Sequence, residues 1–360
     1  MFGGLAAAVA IVFFVTAHEA GHFLAAKAVG MKATQFFFGF GPKIWSVQRG
    51  ETEYGFKWLP LGGYVRIVGM SPVEEVSPAD AGRTFREKKF WEKSFVLLAG
   101  VGTNFLLAFL IFYGVGVANG APGGPTTEVG MVSPASAAAE SGLRPGDVIA
   151  AVGGLETPEW GDVEAALKTA GPGPDAVTVD RAGELLTVDV NLTPSETTAG
   201  AGFLGVTPTR AHVDIGPIEG VGYAGRLVWS GVASTLEAIF QMVRPSSLAQ
   251  YAGVFMGDTD VPGEIRPVSP IGIVSIGTQA ESAGFFLAIL ALVNVILATV
   301  NLLPLFPLDG GHLAVALYEK VTGRQVNARR LLPIAAVVIG LFAFLGFVAI
   351  ILDLTNPINL

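Results

Sequence analysis

The chain has 360 residues and a formal net charge of −8, with 51% hydrophobic and only 14% charged residues. Soluble domains average about 25% charged residues, so the composition excludes an ordinary soluble enzyme and describes a membrane protein with a modest soluble part. There are no cysteines, which excludes disulfides and thiolate metal sites.

Residues 1–30 form the first apolar run, broken only by His18, Glu19, His22 and Lys27. At about 1.5 Å per residue it is long enough to cross a bilayer as a helix. No Lys or Arg precedes residue 27, so the basic segment of a cleavable signal peptide is missing and the run is expected to stay. Residues 31–93 follow. Within them 36–66 alternate aromatic, Gly and polar residues around a turn-like Arg49-Gly50, the pattern of a β-hairpin or small sheet near the membrane face. Residues 71–93 read as a polar connection ending in the interfacial cluster Arg86-Glu87-Lys88-Lys89. Residues 94–119 are a second span with a lone amide, Asn104.

The stretch 120–127 (GAPGGPTT) reads as a Gly/Pro linker into a small α+β domain that closes by 210. That domain is expected to carry strands over 128–132, 147–152, 176–180 and 185–192, with helices over 136–141 and 160–170. Residues 211–284 are expected to hold an amphipathic helix over 220–244, lying at the outer interface, and a loop over 258–270. Residues 285–312 are a third span, 313–330 a loop, 331–353 a fourth span and 354–360 a tail.

Charge orients these spans. Residues 27–93 hold 11 Lys/Arg against 7 Asp/Glu, and 313–330 hold 4 against one. Residues 120–284 hold 7 against 19. By the positive-inside rule the first two regions are cytoplasmic and the third is outside. Residues 18–22 and 301–312 then lie toward the same, cytoplasmic side.

His18-Glu19-Ala20-Gly21-His22 is an H-E-x-x-H motif. On a helix, positions i and i+4 share one face, so both imidazoles can take zinc positions with Glu19 beside them as candidate base. Ionisable groups at membrane depth mark function by default. Zinc in a catalytic site takes three protein ligands and leaves one position to water. Asp309 is the best third ligand. It ends the third span in Asn301-Leu-Leu-Pro304-Leu-Phe-Pro307-Leu-Asp309-Gly310-Gly311, where the prolines break the helix and irregular backbone is tolerated only along a cavity. Glu19 would take a proton from water and pass it to the leaving amine. Asn104 and Asn301 are either interhelical glue or groups that bind the substrate backbone or an oxyanion.

These residues resemble the bacterial site-2 proteases, intramembrane zinc metalloproteases of regulated intramembrane proteolysis. HEAGH (18–22), the N-x-x-P-x-x-x-x-D-G pattern at Asn301, Pro304, Asp309 and Gly310, and the GFGP and PLGGYV segments (39–42, 60–65) carry the likeness. The resemblance implies one Zn²⁺ on His18, His22 and Asp309, with Glu19 as catalytic acid/base. It also implies a membrane-associated β-structure near the site, where Gly39, Phe40, Gly41, Gly62, Gly63 and Tyr64 pair with an unwound substrate strand. The outer domain resembles a bacterial PDZ domain through Ser141–Ile149, with Phe203-Leu204-Gly205-Val206 as its carboxylate-binding loop.

The expected protein is therefore a four-span helical membrane protease with a β-hairpin and one extracytoplasmic PDZ-like domain. It is expected to sit in the bacterial cytoplasmic membrane and cut single-span membrane proteins, such as anti-sigma factors or remnant signal peptides. No nucleic-acid partner is expected. Two departures stand out: well-studied relatives carry two PDZ domains where this chain has one, and Val101 stands where relatives often have Pro. The competing readings are a non-proteolytic PDZ receptor and a metal transporter. Glu19 beside the histidines argues for hydrolysis, since transport needs no base there.

Overall fold

The computed structural model describes residues 2–71, 74–195, 198–280 and 282–358. The expected polar connection and C-terminal tail therefore fall partly outside the described residues, at 72–73 and 359–360. The chain divides into two compact units, one formed by the residues up to Ala118 with those from Gly216 onward, the other by Asn119–Ile215.

The first unit opens with α1 (Phe2–Ala28). Two long strands follow, β1 (Ala33–Arg49) and β2 (Thr52–Ile67). They reverse at Gly50, whose φ of +60° suits the turn expected at Arg49-Gly50. The sheet is curled: Phe36–Phe38 pair with Gly63–Val65 on one side and with Tyr54–Phe56 on the other. Phe37 is fully buried in the curl. Phe40, Ile44, Trp45, Phe56 and Trp58 remain exposed at its far end. Glu51, beside the turn, is tied to Lys27 at 2.5 Å and to Arg83 at 2.8 Å. These two cations, Arg83 first, pull the Glu51 carboxyl down to about 2.

α2 (Phe90–Asn119) carries the second apolar run. It meets α1 where small residues allow close approach, as membrane helices commonly do. A Cβ on Gly21 would lie 2.5 Å from Thr103 Oγ1 and 2.7 Å from the Ala99 carbonyl oxygen.

The second unit contains β3 (Ala121–Val132), α3 (Ala137–Glu140), β4 (Val148–Val152), β5 (Leu155–Glu156), α4 (Trp160–Ala170), β6 (Gly173–Arg181), β7 (Glu184–Pro194), β8 (Gly202–Phe203) and β9 (Val206–Val213). The sheet order is β8-β7-β6-β4-β3-β9, with β5 beside β4. Residues 121–127, read as a linker, are strand instead. Ala121 pairs with Val213 and Pro122 with His212, so a partner strand far along the chain extends β3 through a Gly/Pro run. The alternating valines Val177 and Val179 of β6 meet Val190 and Leu192 of β7 and Val163 of α4 in one core. Burying each such side chain contributes about 1.5–3 kcal/mol. α4 starts with a capping box between Glu159 and Asp162. Arg181 clamps the buried Asp147 at the mouth of β4, 2.7 Å away.

The first unit resumes with α5 (Pro217–Met242), α6 (Pro245–Val254), α7 (Pro270–Gln279), α8 (Ala283–Leu302), α9 (Asp309–Thr322) and α10 (Ala328–Thr355). α5 is the helix expected over 220–244. Its buried face of Gly220, Ala224, Gly231 and Thr235 packs on two apolar helices. Gly220 meets Tyr113 and Val117 of α2, and Gly231 meets Leu292 and Val295 of α8. α7 packs against the start of α1 through Gly277 and Gly3. Asp353 of α10 accepts from the Ser269 N–H at 2.8 Å and pairs with Arg266 at 3.3 Å, which ties α7 to the last helix. The 313–330 stretch, read as a loop, is helical through Thr322 as part of α9. Among the described residues, four helices are long and apolar enough to cross a membrane: Gly3–Ala28, Phe90–Asn119, Ala283–Leu302 and Arg329–Thr355.

Candidate metal centre

α1 puts His18 and His22 one turn apart on one face, with both side chains buried at 6% and 3% exposure. α8 stops at Leu302, and the chain turns through Pro304 and Pro307 before α9 starts at Asp309. The turn is tight because residues 310 and 311 lack side chains. A Cβ on Gly310 would overlap the carbonyls of Leu302 and Leu303, and one on Gly311 would overlap Leu305 and Phe306. This brings the Asp309 carboxylate to His22 and His18 from 287 and 291 residues away in sequence.

The three donor atoms make a nearly equilateral triangle. His18 Nε2 lies 3.1 Å from Asp309 Oδ2, His22 Nε2 lies 3.2 Å from it, and the two nitrogens are 3.1 Å apart. His22 Nδ1 donates to the Val96 carbonyl at 2.8 Å. That bond fixes the tautomer and leaves the Nε2 lone pair facing His18 and Asp309. Lone pairs converging at this spacing need a positive charge between them. Tetrahedral zinc, with bonds of about 2.0–2.1 Å, sets its ligand atoms roughly 3.3 Å apart. The residues therefore fit a zinc ion, and the three form a group able to hold a metal.

The surroundings supply support that sequence reasoning missed. Gly100 of α2 gives the His22 ring its space: a Cβ there would lie 2.5 Å from Cε1 and 2.7 Å from Cδ2. Glu19 points from the same turn of α1, and its Oε2 accepts from the Val65 N–H of β2 at 3.1 Å. A glycine spaced four residues from another small or polar position on an uncharged span was the available signal for Gly100. The PLGGYV segment marks this stretch of β2 by resemblance, but not its main-chain contact with Glu19.

The other expected residues fall in different places. Asn104 is buried on the α2 face that also carries Val96 and Gly100, and its Oδ1 has no partner among the described residues. Asn294 of α8, not singled out in the sequence, donates to the Asn104 carbonyl at 2.9 Å. Asn301 turns back on its own helix, donating to the Leu297 carbonyl at 3.0 Å. Gly62 and Gly63 lie against Val15, Thr16 and Glu19 of α1, whereas Phe40 is exposed. In the other unit, Leu204 and Gly205 link β8 to β9. Gly205 takes a φ of +83°, and its carbonyl accepts from the Ser133 N–H at 2.9 Å.

A convergent His-His-Asp donor set with an adjacent carboxylate, its histidines on a helix long and apolar enough to cross a membrane, defines a membrane metallohydrolase. Comparison with known proteins gives the particular family. A family model for peptidase family M50 matches residues 6–347, and the chain belongs to that family. It is 32% identical to the zinc metalloprotease Rip1 of Mycolicibacterium smegmatis, over 98% of this chain and 97% of that one. It is 34% identical to the zinc metalloprotease Rip1 of Mycobacterium tuberculosis, over the same shares. It is 29% identical to the probable membrane metalloprotease ARASP2, chloroplastic, of Arabidopsis thaliana, over 98% of this chain and 80% of that one. The protein is thus a zinc metalloprotease and a multi-pass membrane protein.

Proposed function

We propose that the protein hydrolyses peptide bonds within or near the transmembrane segments of single-span membrane proteins, with His18, His22 and Asp309 holding zinc and Glu19 moving the proton. The observation that carries this reading is the triangle of three donor atoms 3.1–3.2 Å apart, with Glu19 on the same helical turn. Bound zinc supplies a Lewis acid that polarises the scissile carbonyl and acidifies water. Glu19 Oε2 is held by the Val65 N–H, which leaves Oε1 to accept a proton from the attacking water and return it to the departing amine. Asn104 orients the substrate backbone or the developing oxyanion. Its buried Oδ1, without a partner among the described residues, is free to accept a substrate N–H and supports the backbone role, while the Asn301 amide is already engaged by its own helix.

The curled sheet offers a second set of contacts, to an unwound substrate strand by β-pairing and to lipid through Phe40, Trp45 and Trp58. The Asn119–Ile215 unit is a PDZ-like domain. β9 ends the strand order, so one edge is open to an added strand, and the Leu204-Gly205 turn beside it would receive a terminal carboxylate. Charge supports a bacterial cytoplasmic membrane location with the active site inside and this domain outside. Substrates of this kind include anti-sigma factors and remnant signal peptides.

The test is Glu19→Gln, which keeps the side chain's shape. It should retain one zinc per chain and lose about 10²–10⁴-fold in cleavage of a helical model substrate. Cleavage at the wild-type rate would sink the hydrolysis reading of Glu19.

A further inference from the structure

We propose that the Gly63–Val65 stretch of β2 positions the catalytic base, acting through its main chain. The inference rests on reading Glu19 as that base.

A glutamate has three rotatable side-chain bonds, so aiming its carboxylate requires a contact that offsets the entropy lost on freezing them. Among the described residues, the one hydrogen bond on the Glu19 carboxylate is from the Val65 N–H at 3.1 Å. A bond from a main-chain donor to a carboxylate is charge-assisted and directional. The donor is itself fixed, because Val65 is paired with Phe36 across the sheet and Phe37 beside it is fully buried. It donates to a side chain of α1.

Reaching Glu19 requires β2 to touch the helix backbone. A Cβ on Gly63 would lie 2.9 Å from Thr16 Cα and 3.0 Å from Glu19 Cγ. A Cβ on Gly62 would lie 2.6 Å from Val15 Cγ1, and its φ of +133° is one that side chains rarely adopt. Both positions are glycine for contact with the turn of α1 that carries the base. The Val65 side chain packs against the core that contains Ala25, Ala26 and Met31 and so anchors the strand, while its N–H makes the contact with Glu19. The base and the hairpin read as the substrate's pairing surface therefore belong to one rigid piece, and a strand laid on that piece meets a base already aimed.

The full-length chain in bilayer nanodiscs tests this by steady-state cleavage of a transmembrane model peptide, with zinc measured on the same samples. One variant replaces Val65 by its α-hydroxy analogue during cell-free synthesis, turning the 64–65 amide into an ester, which deletes the N–H, keeps the side chain and otherwise only weakens the Tyr64 carbonyl as an acceptor. The other is Gly63→Ala. A misplacement of about 1 Å at a reacting group costs roughly 100-fold. Both variants are expected to lose about 10–100-fold in kcat, with KM and zinc stoichiometry unchanged. The ester combined with Glu19→Gln is expected to be no slower than Glu19→Gln alone. A kcat within twofold of wild type for the ester overturns the proposal, as does a loss that appears in KM or in zinc content. If Glu19→Gln itself keeps full activity, the base reading fails; if it is inactive while the ester is unimpaired, only the positioning role fails.

Discussion

Gly100→Ala is the sharpest test of the His22 geometry. The added methyl would sit 2.5 Å from Cε1 and 2.7 Å from Cδ2 of the imidazole. Carbon atoms pack at about 3.5 Å or more, so ring and methyl must separate by about 1 Å. The ring has little room to retreat. It is buried at 3% exposure, held by the Val96 carbonyl at 2.8 Å and faced by His18 at 3.1 Å. Zinc–nitrogen bonds tolerate only about 0.2 Å. Disturbing a supporting contact alone lowers metal affinity about 10–100-fold, equivalent to roughly 1.4–2.8 kcal/mol. Gly100→Ala should lose at least that much. Zinc retained after dialysis against graded chelators measures it. Gly102→Ala is the control, since a Cβ at Gly102 meets nothing within 4 Å on the same helix. Equal zinc retention by the two variants would refute the crowding of His22 by position 100.

Removing zinc with a chelator should abolish cleavage, and stoichiometric Zn²⁺ should restore it; activity that survives full metal removal would contradict a metal-dependent reaction. Asn104→Ala should reduce kcat by about 10²–10³-fold if its amide stabilises an oxyanion, whereas Asn301→Ala should cost only about 1 kcal/mol of stability for its lost helix bond. Comparing kcat and melting temperature for the two separates these roles. In the other unit, Arg181 holds the Asp147 carboxyl below the usual carboxylate range. The unfolded carboxyl titrates near 4, so the pair contributes fully above about pH 4 and its contribution fades as pH falls through the depressed folded value. Arg181→Met should cost about 1–3 kcal/mol at neutral pH by leaving Asp147 buried without its cation. Amide exchange in β4 and β6 of the intact chain, followed from pH 7 downward, reports both effects.

Much of this molecule is legible along the chain because its signals are local. Twenty-residue apolar runs, the four-residue spacing of His18 and His22, and the prolines that stop α8 each follow from a few neighbouring residues. What was misread depends on distant partners. Residues 121–127 carry turn residues yet form a strand, because β9 lies alongside to supply its hydrogen bonds. The 313–330 region carries loop-like charge yet is helical through Thr322, once Asp309 starts a new helix.

The order of residues sets the chemistry: a membrane chain with two histidines and a glutamate on one helical turn, and an aspartate in a helix-breaking turn. How these groups are held follows from packing. The triangle of donors, the cradle at Gly100 and Val96, and the Val65 N–H on Glu19 all join residues far apart in the chain. The physical reason is that ligand identity is a property of side chains, whereas position is set by backbone contacts between elements. A glycine that makes room for an imidazole, or an amide that holds a carboxylate, leaves no mark in the sequence until its partner is packed against it.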